Sequence, residues 1–137
     1  KNHRNLQAAE LSTRKAIEIK PEIAEAHYNL GIILKDLSKS QEAEFSLRRA
    51  IKLDPNFAEA HYNLGSILKD LGKLQEAELS YRKAIELKPD LAEAYYNLGN
   101  ILKDLGKVQE SRLCSEKIMS LRSWSITGSY SFNYEMI

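Results

Sequence analysis

Asparagine side chains recur at a regular interval along this 137-residue chain, and their amides are suited to hydrogen-bonding chemistry. Each amide carries a donor and an acceptor, so a row of them can pair with the N–H and C=O groups of an extended peptide. The row consists of Asn29, Asn63 and Asn97. A tyrosine precedes each of these three, and a lysine–aspartate pair follows each at a fixed distance. The candidate contact residues are therefore Asn29, Asn63, Asn97, Tyr28, Tyr62, Tyr96, Lys35, Lys69, Lys103, Asp36, Asp70 and Asp104.

Residue patterns that support catalysis or metal binding are scarce. His27 and His61 occupy equivalent places in a repeat and have no third ligand nearby, so we expect no metal site. Cys114 has no histidine at a recognisable nucleophile spacing, which predicts a packing role. The sequence contains no glycine-rich phosphate loop and no nucleophile elbow. We therefore expect no enzyme activity and no cofactor.

The overall charge and composition narrow the classes of partner. Twenty basic residues oppose nineteen acidic ones, and this balance disfavours nucleic-acid binding, which needs a surplus of cations. No apolar run reaches the roughly 20 residues that a membrane-spanning helix requires. The single cysteine excludes an internal disulfide and is compatible with a reducing compartment, so we expect a cytoplasmic protein.

The asparagine spacing belongs to a repeat that covers most of the chain. The three prolines, at positions 21, 55 and 89, are separated by 34 residues each time, and segments 24–57 and 58–91 are identical at 24 of 34 positions. Residues 1–23 match the second half of the unit, and residues 92–122 form a third unit whose second half diverges. The predicted organisation is a repeat array over residues 1–122, followed by a tail over residues 123–137.

Each unit predicts two helices with a short break between them. Apolar residues fall at helical spacing over 24–37 and again over 41–53. Gly72 and Gly106 lie in the break, where a residue in the left-handed conformation ends a helix at low cost. Ser38 occupies the equivalent position in the first full repeat and should adopt that conformation less favourably than glycine. A glycine such as Gly65 also recurs inside the first helix, where it costs about 1 kcal/mol relative to alanine and indicates close packing.

The repeat resembles the tetratricopeptide repeat family. The family pattern falls on Leu30-Gly31, Ala43, Ala50 and Pro55, and again on Leu64-Gly65, Ala77, Tyr81, Ala84 and Pro89. The third unit keeps Leu98-Gly99 but has Ser111, Ser115 and Ile118 at the later positions. The resemblance implies an all-α, right-handed solenoid of about seven antiparallel helices whose first helices line a concave groove.

The resemblance also implies a function. Similar arrays in O-linked sugar transferases use an asparagine ladder to hold extended peptides, and this carries over to Asn29, Asn63 and Asn97 only. We therefore expect a protein-interaction module that binds an extended segment of a partner. The open alternatives are a structural or self-associating scaffold without a peptide ligand, and a substrate-recruiting fragment of a larger enzyme. At the level of side chains, the asparagines could instead bond only within the array, the tyrosines could be packing residues, and the lysine–aspartate pairs could be simply solvated.

The tail has a different pattern. From Trp124 to Met136, apolar and polar residues alternate with a period of two, which is typical of extended chain. Three outcomes stay open for it: disorder, pairing as a strand, or packing across an array surface. The apolar residues of the tail, together with an uncovered face on the opening helix of the chain (about 7–19), predict a homodimer.

Overall fold

The 34-residue period of the sequence becomes a period of helix pairs. The computed structural model describes the backbone of residues 2–136 and the side chains of residues 2–122. Within that backbone it contains seven α-helices and no strand, so the predicted all-α fold is confirmed. They are α1 (His3–Ile19), α2 (Ala24–Asp36), α3 (Ser40–Leu53), α4 (Ala58–Asp70), α5 (Leu74–Leu87), α6 (Ala92–Asp104) and α7 (Val108–Met136). None of them is long and apolar enough, over the described residues, to cross a membrane.

The helices stack as hairpins in chain order. Helix α2 packs against α3, α4 against α5 and α6 against α7, and each pair contacts the next through its second helix. The first helices of successive pairs, α2, α4 and α6, also touch one another. Since every pair buries its apolar face only against its neighbours, the array is an α-solenoid.

The turns inside the hairpins adopt the predicted left-handed conformation. The φ angle is 78° at Gly72 and 80° at Gly106, and Ser38 takes the same conformation at 62°. The residue after each turn closes the motif; for example, the N–H of Lys73 donates to the carbonyl of Leu68 at 2.8 Å. Ser38 adopts this conformation with a Cβ, which makes it the less favourable turn residue, as predicted.

The glycines inside the first helices lie against large side chains of the second helices. Leu47 and Tyr81 are fully buried, and a Cβ on Gly31 or Gly65 would come within 2.8 Å or 2.9 Å of them, respectively. Such a separation is too short for ordinary van der Waals contact. The close packing predicted for these glycines is therefore confirmed in the first two full repeats.

The tail differs from the sequence-based expectation. Helix α7 is continuous from Val108 to Met136, where the alternating pattern predicts extended chain. The physical reason lies in the backbone: a lone strand has no partner for its N–H and C=O groups, whereas a helix satisfies them within the segment. The side chains of residues 123–137 lie outside the described part of the structure, and with them the apolar contacts expected of the tail.

Candidate peptide-binding groove

The tyrosines and asparagines of the first helices form a ladder of hydrogen bonds along the array. The Asn63 amide donates to the hydroxyl of Tyr28 at 3.2 Å, and the Asn97 amide donates to the hydroxyl of Tyr62 at 3.0 Å. Each bond joins the tyrosine of one repeat to the asparagine of the next. The predicted residues are thus brought together along α2, α4 and α6, where they also connect neighbouring repeats.

These bonds change what the asparagines can offer a peptide. The amide nitrogen of Asn63 also donates to the carbonyl of Glu59 at 2.9 Å, so both of its hydrogens are committed within the array. Its Oδ1 accepts no hydrogen bond from the described residues and is left as an acceptor. Asn29 is exposed, and its side chain makes no hydrogen bond to the described residues. At Asn63 the ladder therefore presents an acceptor only, whereas the amide of Asn97 keeps one hydrogen and that of Asn29 keeps both.

The ladder tyrosines combine packing with polar contact. The Tyr28 ring lies 4.7 Å from the ring of Phe57, and Tyr62 meets Tyr81 edge to face at 5.6 Å, both measured between centroids. Burial, followed by the charge of Glu59, raises the pKa of Tyr28. Tyr96 differs because 63% of it is exposed. Packing therefore accounts for much of the role of Tyr28 and Tyr62, whereas Tyr96 is open to a ligand.

The lysine–aspartate pairs end the first helices. Lys69, Asp70, Lys103 and Asp104 are all exposed, and the two lysines form no ion pair among the described residues. Neighbouring cations and anions give this end of the face no dominant sign.

The second helices carry an ion-pair network that motif reasoning missed. The carboxylate of Glu44 accepts from Arg48 at 2.8 Å and from Lys73 at 3.2 Å. Arg48 also donates to Glu76 on the next second helix at 3.3 Å. The same arrangement recurs one repeat earlier around Glu10 and one repeat later around Glu78, so it could have been found from its 34-residue spacing.

The acidic residues at the centre of this network are held charged. Burial raises the pKa of Glu44, but hydrogen bonds from Arg48 and Lys73 lower it by more than burial raises it. The net pKa of Glu44 therefore lies below its usual range. The pKa of Glu78 is lowered in the same way, by Arg82 and Lys107 against burial. The network therefore fixes successive second helices to one another at neutral pH. It positions the repeats and does not contribute to the predicted groove.

The histidines serve the repeat junctions. His27 and His61 each donate a ring N–H to the carbonyl of the preceding repeat's proline, at 2.8 Å from Pro21 and 2.9 Å from Pro55. Among the described residues, no cluster of three potential ligands could hold a metal ion. Cys114 is buried, and burial raises the pKa of its thiol, which keeps the thiolate nucleophile scarce.

Stacked helix pairs with a 34-residue period define this chain as an α-solenoid repeat protein. Three family models described as tetratricopeptide repeat match residues 24–57, 46–78 and 92–123, and one described as TPR repeat matches residues 65–106. The chain belongs to the tetratricopeptide repeat family. The family implies protein partners, so the chain is a protein-interaction or scaffold module.

Solved structures give the same fold. A crystal structure of MamA is 28% identical, with a TM-score of 0.86 and a match over 89% of this chain and 71% of that chain. A MamA structure from Desulfovibrio magneticus RS-1 is 22% identical over 87% and 67%, with a TM-score of 0.81. An O-GlcNAc transferase variant from Thermobaculum terrenum is 33% identical, with a TM-score of 0.67, over 73% of this chain and 19% of that chain. A search of curated protein sequences found no significant match.

Proposed function

We propose that the face formed by α2, α4 and α6 binds an extended segment of a partner protein. The observation that carries this proposal is the ladder itself, since Tyr28–Asn63 and Tyr62–Asn97 hold polar groups in register along neighbouring first helices. A repeating row of fixed polar groups matches the repeating N–H and C=O groups of an extended backbone. In the family architecture these helices line the concave side of the array.

The first ladder step, Tyr28–Asn63, can supply both halves of a backbone contact from two side chains. The Oδ1 of Asn63 is available to accept from a peptide N–H. The hydroxyl of Tyr28 accepts from Asn63 but gives its own hydrogen to no described residue, so it can donate to a peptide carbonyl. At this step the tyrosine–asparagine pair thus replaces the asparagine amide as the unit of recognition. At the next step the Tyr62 hydroxyl donates to Glu93 at 3.4 Å, and Asn97 keeps one amide hydrogen that can donate to a peptide carbonyl. Because this unit reads the backbone, side-chain preference must come from other positions on the face.

The ladder is tested by removing its amides. In the double variant Asn63→Ala, Asn97→Ala, we expect affinity for a partner peptide to weaken by about 1–3 kcal/mol, because hydrogen bonds to the peptide are lost. Partner segments would be selected from a peptide display library with the full chain as bait, and their dissociation constants measured by isothermal titration calorimetry. Circular dichroism melting would show whether the variant remains folded.

The matched control for the ladder variant is Lys52→Ala, at an exposed residue of α3 on the second-helix side. This control should bind selected peptides as the parent chain does. Unchanged affinity in the folded double variant would contradict the groove proposal.

A second candidate function is self-association, which a row of exposed apolar residues favours. Its members project from successive second helices at 34-residue spacing: Leu11 is 61% exposed, Phe45 76%, Leu79 67% and Leu113 62%. Exposed apolar residues in a row are a common basis for protein–protein contact. We expect light scattering to detect dimers of the unmodified chain. The double variant Phe45→Ser, Leu79→Ser should have a smaller dimer fraction at the same concentration. A parent chain that stays monomeric at high concentration rules this candidate out.

A third candidate places the array beside a catalytic domain as its substrate-recruiting part. The partial likeness to the O-GlcNAc transferase variant favours it, since 73% of this chain is matched there. The direct test is whether any sequence that flanks residues 1–137 encodes a catalytic domain.

A further inference from the structure

A cavity of about 340 Å³ opens between α6 and α7 in the third repeat. It adjoins the proposed groove, because Tyr96 and Lys103 of the groove face contribute to its lining. Gly99 and Asn100 lie on its α6 side, and Ser115 and Ile118 lie on its α7 side.

The two preceding repeats show what normally fills this place. Counting by the 34-residue period, Leu47 and Tyr81 occupy the position that Ser115 holds in the third repeat. Both are fully buried, and Tyr81 lies directly against Gly65. Its hydroxyl is 2.9 Å from the hydroxyl of Ser66 on the neighbouring first helix. The chain itself therefore shows how a phenol side chain is held at this position.

The third repeat keeps the receiving surface but lacks the side chain. Gly99 stands where Gly65 stands, and a Cβ added there would meet Cys114 at 3.4 Å and Ser111 at 3.7 Å, which are ordinary van der Waals distances. Ser115 is too short to reach Gly99, and it is exposed. Asn100 takes the place of Ser66, so a hydrogen-bonding side chain is still present where the phenol hydroxyl would lie. The third repeat thus keeps the glycine and a polar side chain at the two places that contact Tyr81 in the second repeat.

We propose that this cavity binds a tyrosine side chain of the partner's extended segment. The phenol ring would lie over Gly99, as the ring of Tyr81 lies over Gly65, and its hydroxyl would pair with the Asn100 amide. This proposal gives the groove a side-chain preference at its third repeat. It rests on the proposed groove function only in that the tyrosine is supplied by a segment bound there. The cavity's affinity for a phenol does not depend on that source.

The cavity is tested with N-acetyl-tyrosinamide titrated into the ¹⁵N-labelled full chain. We expect saturable chemical-shift changes centred on the amides of Gly99 and Asn100. N-acetyl-phenylalaninamide should bind several-fold more weakly because it lacks the hydroxyl, and N-acetyl-leucinamide should give no saturable change. Asn100→Ala should remove the preference for tyrosine over phenylalanine, which a merely structural role of Asn100 would not do.

Two further variants fill the cavity from within. Ser115→Tyr and Ser115→Leu copy the second and first repeats, and both should abolish the shifts of the tyrosine probe. Ser120→Tyr is the matched control because it adds the same ring at an exposed position on α7 outside the cavity lining. The probe should bind that control like the parent chain.

Three results would overturn the proposal: no saturable shift in the parent chain, equal binding of the tyrosine and leucine probes, or unchanged binding in a folded Ser115→Tyr chain. The groove proposal fails separately. If no selected peptide binds, the tyrosine probe can still occupy the cavity, and if the cavity fails, peptides can still bind without preference for tyrosine.

Discussion

The second and third repeats share a backbone arrangement but differ in what fills it. In the second, Tyr81 packs on Gly65 and bonds to Ser66, so helices α4 and α5 are joined by a buried side chain. In the third, Ser115 leaves that space open, and α6 and α7 are joined partly by a hydrogen bond from Ser111 to the carbonyl of Gly99 at 2.9 Å. The difference shows that the helix-pair geometry is retained even where one of its main packing residues is replaced by a small one.

Removing the filled side chain should have the largest effect. Tyr81→Ala is expected to lower the free energy of unfolding by about 3–5 kcal/mol, because it leaves a cavity in a packed region. Ser115→Ala, at the equivalent place in the third repeat, should change it by less than about 0.5 kcal/mol. Urea denaturation followed by circular dichroism measures both. Equal losses in the two variants would mean that the repeats do not differ as described.

High pH should destabilise the second repeat in particular. Burial, despite the hydrogen bond to Ser66, raises the pKa of Tyr81 to about 12 from the ordinary tyrosine value of 10.0. The unfolded chain therefore loses this proton first as the pH rises. The contribution of Tyr81 to stability is complete below pH 10 and is lost as the pH rises through about 12, by about 3 kcal/mol in all.

The measurement for this pH effect is the free energy of unfolding from pH 9 to pH 12 in the parent chain and in Tyr81→Phe. The difference between the two isolates Tyr81 from the other tyrosines and the lysines that titrate in the same range. A parallel decline in both chains would show that Tyr81 is not responsible.

Alanine at the helix glycines should give effects of opposite sign in the two repeats. Gly65→Ala is expected to destabilise by about 1–3 kcal/mol, since its Cβ would lie 2.9 Å from the Tyr81 ring. The Cβ of Gly99→Ala would meet Cys114 at 3.4 Å and Ser111 at 3.7 Å, both ordinary contacts, so this variant should be stabilised by up to about 1 kcal/mol through helix propensity. Thermal melting of the two variants checks the signs, and a loss of stability in Gly99→Ala would contradict the open space beside it.

The sequence predicted the repeat architecture because local signals and the period agree. The left-handed turns at Gly72 and Gly106 and the burial of Leu34 and Leu68 follow from spacing alone. The bond between Tyr28 and Asn63 could not be predicted in this way, because it joins residues 35 positions apart whose distance depends on how repeats stack. The cavity in the third repeat required both kinds of knowledge: the substitution of Ser115 is visible in the sequence, but the volume it leaves is not.

The tail shows where prediction from the sequence pattern failed. A period-two pattern predicts extended chain only where a neighbouring strand can complete its hydrogen bonds, and the backbone through Met136 is helical. Pattern alone therefore says little about a segment at the edge of an array, where partners for the backbone are absent from the local sequence.

The two rows of contacts that link neighbouring repeats also give the array a mechanical character. One row, through Tyr28–Asn63 and Tyr62–Asn97, consists of neutral hydrogen bonds, whereas the opposite row consists of ion pairs such as Arg48–Glu76. Salt screens the exposed ion pairs and leaves the neutral bonds almost untouched. We therefore expect added salt to weaken the links between second helices more than those between first helices, which would alter the curvature of the array and the width of the proposed groove.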